Sequence, residues 1–203
     1  MSDYWHIACA ELSQADAVMA GLIARYPVGQ MQNRGDAFVT LARAITGQQI
    51  SVKAADTIWA RLTALTDITP AHIAMCSVAE IRACGYSQRK VEYLHDLARH
   101  FVAGLVVPSA WNTMDDAEII SDLTQIRGIG QWSAEMFLMF NLLRPNVLPL
   151  DDIGLQRAIA LHYPDTLPYT KAKLKQHAER WQPWRSVATW YLWRSLDPVI
   201  VAY

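Results

Sequence analysis

The stretch LTQIRGIGQWSAEMF, from Leu123 to Phe137, sets two glycines one residue apart between two apolar runs of helical spacing. Gly128 and Gly130 permit positive φ and close backbone approach. A helix opening at about Gln131 turns its unsatisfied N–H groups, and the positive end of its dipole, toward whatever faces the turn. A phosphate suits that place. Taken alone, the same turn also serves as a plain helix–helix connection with glycine at a C-cap.

Upstream, the pattern is helical almost everywhere. Val18, Leu22 and Ile23 share a face that ends before Pro27, and Phe38, Leu41 and Ile45 repeat the pattern up to Gly47. Ser51 is read as the N-cap of a helix whose apolar face is Ala55, Ile58, Trp59 and Leu62. Thr69 with Pro70 marks another start, and Ser77 with Glu80 forms a capping box for a helix ending at Gly85. Ser87 opens a long amphipathic helix with Val91, Leu94, Leu97 and Phe101 on one side. Asp115 or Asp116 starts the next, and Ser121 is read as the cap of a short helix before the glycine turn. Beyond the turn, helices are expected near residues 131–143, 152–162, 170–181 and 185–196. GLVVPSAW and NVLPLD are short and broken by proline, so no strand is expected. The reading is all-α, about ten helices, without repeats or low-complexity tracts.

Composition narrows the class. The 203 residues are 52% hydrophobic, enough for a real core in one domain or two small lobes. A net charge of −1 argues against a strongly basic nucleic-acid binder, though a local patch or main-chain N–H groups suffice to hold phosphates. The three cysteines, Cys9, Cys76 and Cys84, are spaced for neither a disulfide framework nor a zinc site, and cannot supply the four thiolates of an iron–sulfur cluster. The start MSDYWHIACAEL lacks the basic and apolar regions of a signal peptide, and no run is long enough to span a membrane. A soluble, reducing, cytoplasmic setting is expected.

The run L-x-x-I-x-G-I-G-x-W-S-A resembles the helix–hairpin–helix of DNA glycosylases, in which a Gly/Pro-rich loop and an aspartate at the next helix start follow the hairpin. Here the loop is RPNVLPLDD. LARAITGQQIS, IRACGYSQRKVEYLHDLA and AERWQPWRSVATWYLW are similar to further segments of the 3-methyladenine DNA glycosylase II branch. The likeness covers roughly residues 10–196. It implies the compact form lacking an N-terminal β domain: one unit, 1–203, with a middle lobe of roughly 36–145, a second lobe from the N-terminal segment and roughly 146–203, and a cleft between them.

The resemblance implies site residues. Asp152 takes the place of the catalytic aspartate, which stabilises the oxocarbenium-like sugar and helps orient or deprotonate water. In isolation, Asp151 and Asp152 read equally as N-caps; Asp151 is the neighbour suited to a cap or backbone contact. In relatives that also cut the strand, a lysine stands two residues past the second hairpin glycine and forms a Schiff base. Trp132 stands there, so a monofunctional, hydrolytic enzyme is expected. The family's pocket aromatics map onto Trp132 and Trp193, and a third position, commonly tyrosine, is Met136. Indole faces attract a cationic alkylated base and stack on it. Trp181, Trp184 and Trp190 are assigned to the core, and Arg185 to a bridge toward the acid or a phosphate.

For DNA contact, Gln49 aligns with the wedge that fills the gap left by an everted base, and Gln48 with a contact to the opposite base. Both also read as helix-end caps. Phosphates are expected on the N–H groups of Gly128, Gly130 and Trp132, with Ser133 and Arg127 nearby, and Arg144, Lys53 and Arg89 as outer contacts. No cofactor is required. A structural Na+ or K+ on the main-chain carbonyls of Thr124, Ile126 and Ile129 is implied by relatives. The partner expected is double-stranded DNA containing alkylated bases, bound by a monomer. The competing readings are a glycosylase for another lesion class and a DNA-structure-binding module without catalysis.

Overall fold

The computed structural model describes residues 4–166 and 170–196. Among them are helices and no strand. In chain order these are α1 Tyr4–Ala15, α2 Ala17–Arg25, α3 Ala37–Gly47, α4 Val52–Leu65, α5 Pro70–Met75, α6 Val78–Ala83, α7 Gln88–Val102, α8 Asp116–Thr124, α9 Gln131–Phe140, α10 Ile153–His162, α11 Lys171–His177 and α12 Arg185–Leu196, with short 3₁₀ turns between some of them. The chain divides into two compact units, one of residues Arg34–Phe137 and one of Met1–Asn33 with Leu138–Tyr203.

In the unit from Arg34 to Phe137, side-chain caps set the helix starts. Ser51, Thr69, Ser77 and Ser87 each accept a main-chain N–H from the first turn that follows, and Ser77 and Glu80 complete a capping box. Asp115 is the residue that opens α8, with Glu118 as its capping-box partner. Ser121 caps nothing, because α8 runs unbroken through it to Thr124. The core is built from Phe38, Leu41 and Ile45 on α3, Leu62 on α4, and Val91, Leu94 and Leu97 on α7. Each such side chain contributes about 1.5–3 kcal/mol on leaving water. Phe101 closes this face edge-on to Phe38, with ring centroids 5.3 Å apart.

In the other unit, α12 is buried from Ser186 to Trp193, all round the helix, as expected for a central helix. Its one buried Ser pays no desolvation penalty: Ser186 Oγ donates to Arg144 O at 2.6 Å and accepts Val147 N–H at 2.9 Å. These contacts draw residues 138–145 into this unit rather than the middle lobe expected for them. Tyr4 Oη donating to Leu143 O at 2.8 Å does the same. α1 is a helix that the sequence reading left unassigned; Trp5, Ala8 and Leu12 form its buried stripe. Asp16 caps α2 and is itself buried, accepting from Val18 and Met19 N–H, Tyr163 Oη and Trp181 Nε1. Burial opposes its ionisation, but these four donors outweigh it and hold the carboxyl below its usual value. Trp181 and Trp190 are core, whereas Trp184 is half-buried, stacked on Tyr4 and donating from Nε1 to Glu11 at 2.6 Å.

Candidate functional site

The hairpin joins α8 to α9 through residues 125–130, and α7 fastens it. Gly128 has φ of +88°, and a Cβ there would stand 2.2 Å from the Tyr93 ring. Glycine is required at this position both by the backbone and by the ring packed against it. Asp96 Oδ2 accepts the N–H of Arg127 at 2.9 Å. Burial opposes ionisation of Asp96, but that N–H, the Arg99 side chain and His100 prevail and lower its pKa. The Arg127 guanidinium, assigned above to DNA, pairs with Glu92 at 3.0 Å. Its charge is therefore shared with a carboxylate of α7.

Gly130 differs from Gly128. Its φ is not positive, and nothing lies within 4 Å of where its Cβ would be. Of the two glycines that permit positive φ, Gly128 uses it to make the turn, and Gly130 leaves open space before the first turn of α9. Ala134 N–H is the first to bond back, to Gly130 O at 3.0 Å, so the amides ahead of it face out of the helix end. Trp132, on that first turn, is 41% exposed; Ser133 is half-buried; Met136, one turn along the same helix, is buried. Ile126 O accepts Ile129 N–H at 3.1 Å.

At the end of α3, Gln48 is the C-cap, and its Nε2 donates to Gly128 O at 2.8 Å. This side chain is thus tied to the hairpin, a different task from the opposite-base contact assigned to it. Gln49 has φ of +59°, is exposed, and accepts from Arg89 Nη2 at 3.4 Å.

In the other unit, Asp152 is the N-cap of α10. Its Oδ1 accepts Leu155 N–H at 2.6 Å and Trp193 Nε1–H at 2.7 Å, and the residue is 9% exposed. Asp151 is no cap: it is exposed and paired with Lys171. Trp193 is buried and stacked on Phe140, with centroids 6.1 Å apart. Its indole N–H orients the carboxylate, a task the pocket-floor assignment did not include. Arg185 reaches neither acid. Its Nε donates to Asn146 Oδ1 at 2.8 Å.

Sequence reading missed Gly154. A Cβ there would lie 3.0 Å from Asp152 Oδ1 and 3.1 Å from Trp193 Cδ1. The signal was present, since glycine in the first turn of a helix costs about 1 kcal/mol against alanine and asks for a packing reason. Tyr93 and Asp96 were missed as well. On α7 they look like ordinary amphipathic-helix residues, and only the fold brings them beneath the hairpin.

The glycine hairpin between α8 and α9, fastened by α7, marks a class: the helix–hairpin–helix proteins. The chain belongs to the HhH-GPD superfamily of base excision DNA repair proteins, matched over residues 42–183. It is 33% identical over 180 residues to DNA-3-methyladenine glycosylase 1 of Schizosaccharomyces pombe, covering 86% of this chain and 78% of that one. The fold is similar to the crystal structure of a DNA-3-methyladenine glycosidase from Bacillus halodurans, with TM-score 0.84, 33% identity and coverage of 91% and 86%. It is also similar to a Schizosaccharomyces pombe 3-methyladenine DNA glycosylase in complex with abasic DNA, with TM-score 0.78, 31% identity and coverage of 97% and 99%.

Proposed function

We propose that this protein is a monofunctional DNA glycosylase. It binds double-stranded DNA, everts an alkylated base such as 3-methyladenine, and hydrolyses the N-glycosidic bond to start base excision repair. The observation that carries the reading is Asp152, an aspartate at a helix N-cap, oriented by the Trp193 indole, in a chain of this superfamily.

In the reaction, the C1′–N bond breaks and its electron pair leaves with the base. A base that carries positive charge departs neutral, so little acid catalysis is needed. Positive charge develops on the sugar, where the Asp152 carboxylate stabilises it. Water then adds to C1′ and gives up a proton to the carboxylate or to solvent. Trp132 attracts the cationic ring, worth about 0.5–2 kcal/mol, and Met136 supplies a polarisable contact on the same helix. Trp193 commits its N–H to Asp152 and stacks its ring on Phe140.

The amides of Gly128, Gly130 and Trp132 take a phosphate, with Ser133 beside them. A Na+ or K+ on the carbonyls of Thr124, Ile126 and Ile129 would brace the turn. Ile126 O keeps one lone pair for it after the bond to Ile129 N–H. No step of bond breaking passes through that ion.

Trp132 offers no amine where strand-cutting relatives carry lysine, so the product is an uncut abasic site. The test is base release from randomly methylated duplex DNA, read by mass spectrometry, together with borohydride trapping. Release of methylated purines with no trapped adduct is the expected result. A trapped adduct would overturn the monofunctional reading, and tight binding to abasic DNA without release would reduce the protein to a binding module.

A further inference from the structure

Gln49 is a residue with a side chain in the left-handed region, at φ +59°. Such a conformation persists only where the surroundings over-determine it, and it is found at ligand clamps. Four contacts fix the corner here. Lys90 on α7 donates from Nζ to the main-chain carbonyl of Thr46 at 2.7 Å, satisfying one of the carbonyls that α3 leaves open at its end. Thr46 itself is fully buried, and its Oγ1 donates to Ala42 O at 2.8 Å. With that proton committed, Tyr86 Oη must donate to Thr46 Oγ1 across 2.7 Å. Arg89, next to Lys90, reaches the Gln49 side chain at 3.4 Å.

The ammonium of Lys90 is half-buried and meets a carbonyl rather than a carboxylate. Burial holds its pKa below the usual lysine value. A cation placed at that cost against a helix C-terminus suits the macrodipole. It also holds the chain at Thr46, one helical turn before Gln49. A surface lysine recruited only for solubility would not be turned inward in this way.

We infer that Lys90 is a positioning residue for base eversion: it anchors the end of α3 so that Gln49 is presented ready-formed to enter the gap in the stack. Arg89 steers the tip. The inference rests on the glycosylase reading and on Gln49 as the wedge, and the experiment separates the three. Single-turnover release of an alkylated base is compared for a lesion in a normal pair and for the same lesion in a mispair, where part of the unpairing cost is already met.

Lys90→Gln is expected to slow release from the normal pair by about tenfold, the scale of one charge-assisted hydrogen bond, and from the mispair by much less. Lys90→Arg should restore most of the rate. Gln49→Ala should show the same bias toward the mispair, and the double variant should be no slower than Gln49→Ala alone, as expected of residues acting through one element. Equal slowing on both substrates by Lys90→Gln, or additive effects in the double variant, would overturn the positioning role. Wild type without release would sink the glycosylase reading instead, and an unbiased Gln49→Ala would sink the wedge. Should Lys90→Gln fold poorly, Lys90→Met and the Arg89→Gln variant at the tip carry the same comparison.

Discussion

Trp193 and Asp152 are joined by a 2.7 Å hydrogen bond in which the indole Nε1 donates to Oδ1, the oxygen that also caps α10 through Leu155 N–H. The carboxylate is therefore fixed by one donor from its own helix and one from α12. In the proposed reaction, preorganised geometry of this kind would cost no reorganisation as charge develops on the sugar.

Removing either partner should separate charge from orientation. Asp152→Asn keeps a cap but carries no charge, and base release should fall by at least about a hundredfold, with binding to abasic DNA retained. Trp193→Phe keeps the ring on Phe140 but loses the N–H. Release should fall by about tenfold, in line with one bond to a charged acceptor. Single-turnover rates measure both, and a full-rate Asp152→Asn enzyme would end the assignment.

Gly154 gives Trp193 its access to Asp152. Gly154→Ala gains about 1 kcal/mol of helix propensity but places a methyl group 3.0 Å from Asp152 Oδ1 and 3.2 Å from Trp193 Nε1. Overpacking of that degree costs about 1–3 kcal/mol. Stability should change little while release drops about tenfold. Denaturant midpoints and rates measured on one preparation decide it. Loss of stability without loss of rate would mean that the methyl group is absorbed elsewhere.

The two hairpin glycines should behave differently. Gly128→Ala meets both a left-handed backbone and the Tyr93 ring, and should cost about 2–5 kcal/mol of stability. Gly130→Ala meets open space, so stability should shift by less than about 1 kcal/mol. Its methyl group would nonetheless stand where a phosphate approaches, and affinity for duplex DNA should fall. Urea unfolding and a binding titration at fixed salt tell the two apart.

Asp96 links hairpin order to pH. Its carboxyl is held below the unfolded value of about 3.9. Its contribution is therefore complete above that value and is lost as pH falls through the lower folded value. Asp96→Asn has already lost it, so the gap in stability between wild type and variant should be constant from pH 7 to 5 and close toward pH 3. Urea midpoints across that range test the sign. A gap that widens on acidification would contradict it.

Helix starts were legible in the sequence because a cap is a local event. The side chains of Ser51, Thr69, Ser77, Ser87 and Asp115 bond N–H groups within three residues of themselves. The apolar faces of α3 and α7 were legible because burial follows the helical period. The glycine hairpin and Asp152 could be placed by resemblance, since their order and spacing lie along the chain. The partners of the site residues could not. Trp193 is far from Asp152 in sequence, Tyr93 from Gly128, Asp96 from Arg127, and Lys90 from Thr46. Each pair is joined by a long-range contact that no local pattern encodes.

The sequence by itself thus determined most of the helices and the starts of α4, α5, α6, α7 and α8, and by resemblance it pointed to the hairpin and to position 152. Only the tertiary structure decided what those residues do. It committed the Trp193 N–H to a carboxylate, paired Arg127 with Glu92, and tied Gln48 to the hairpin. Propensity and capping act over one helical turn, whereas orientation of a charge depends on donors that arrive from other helices.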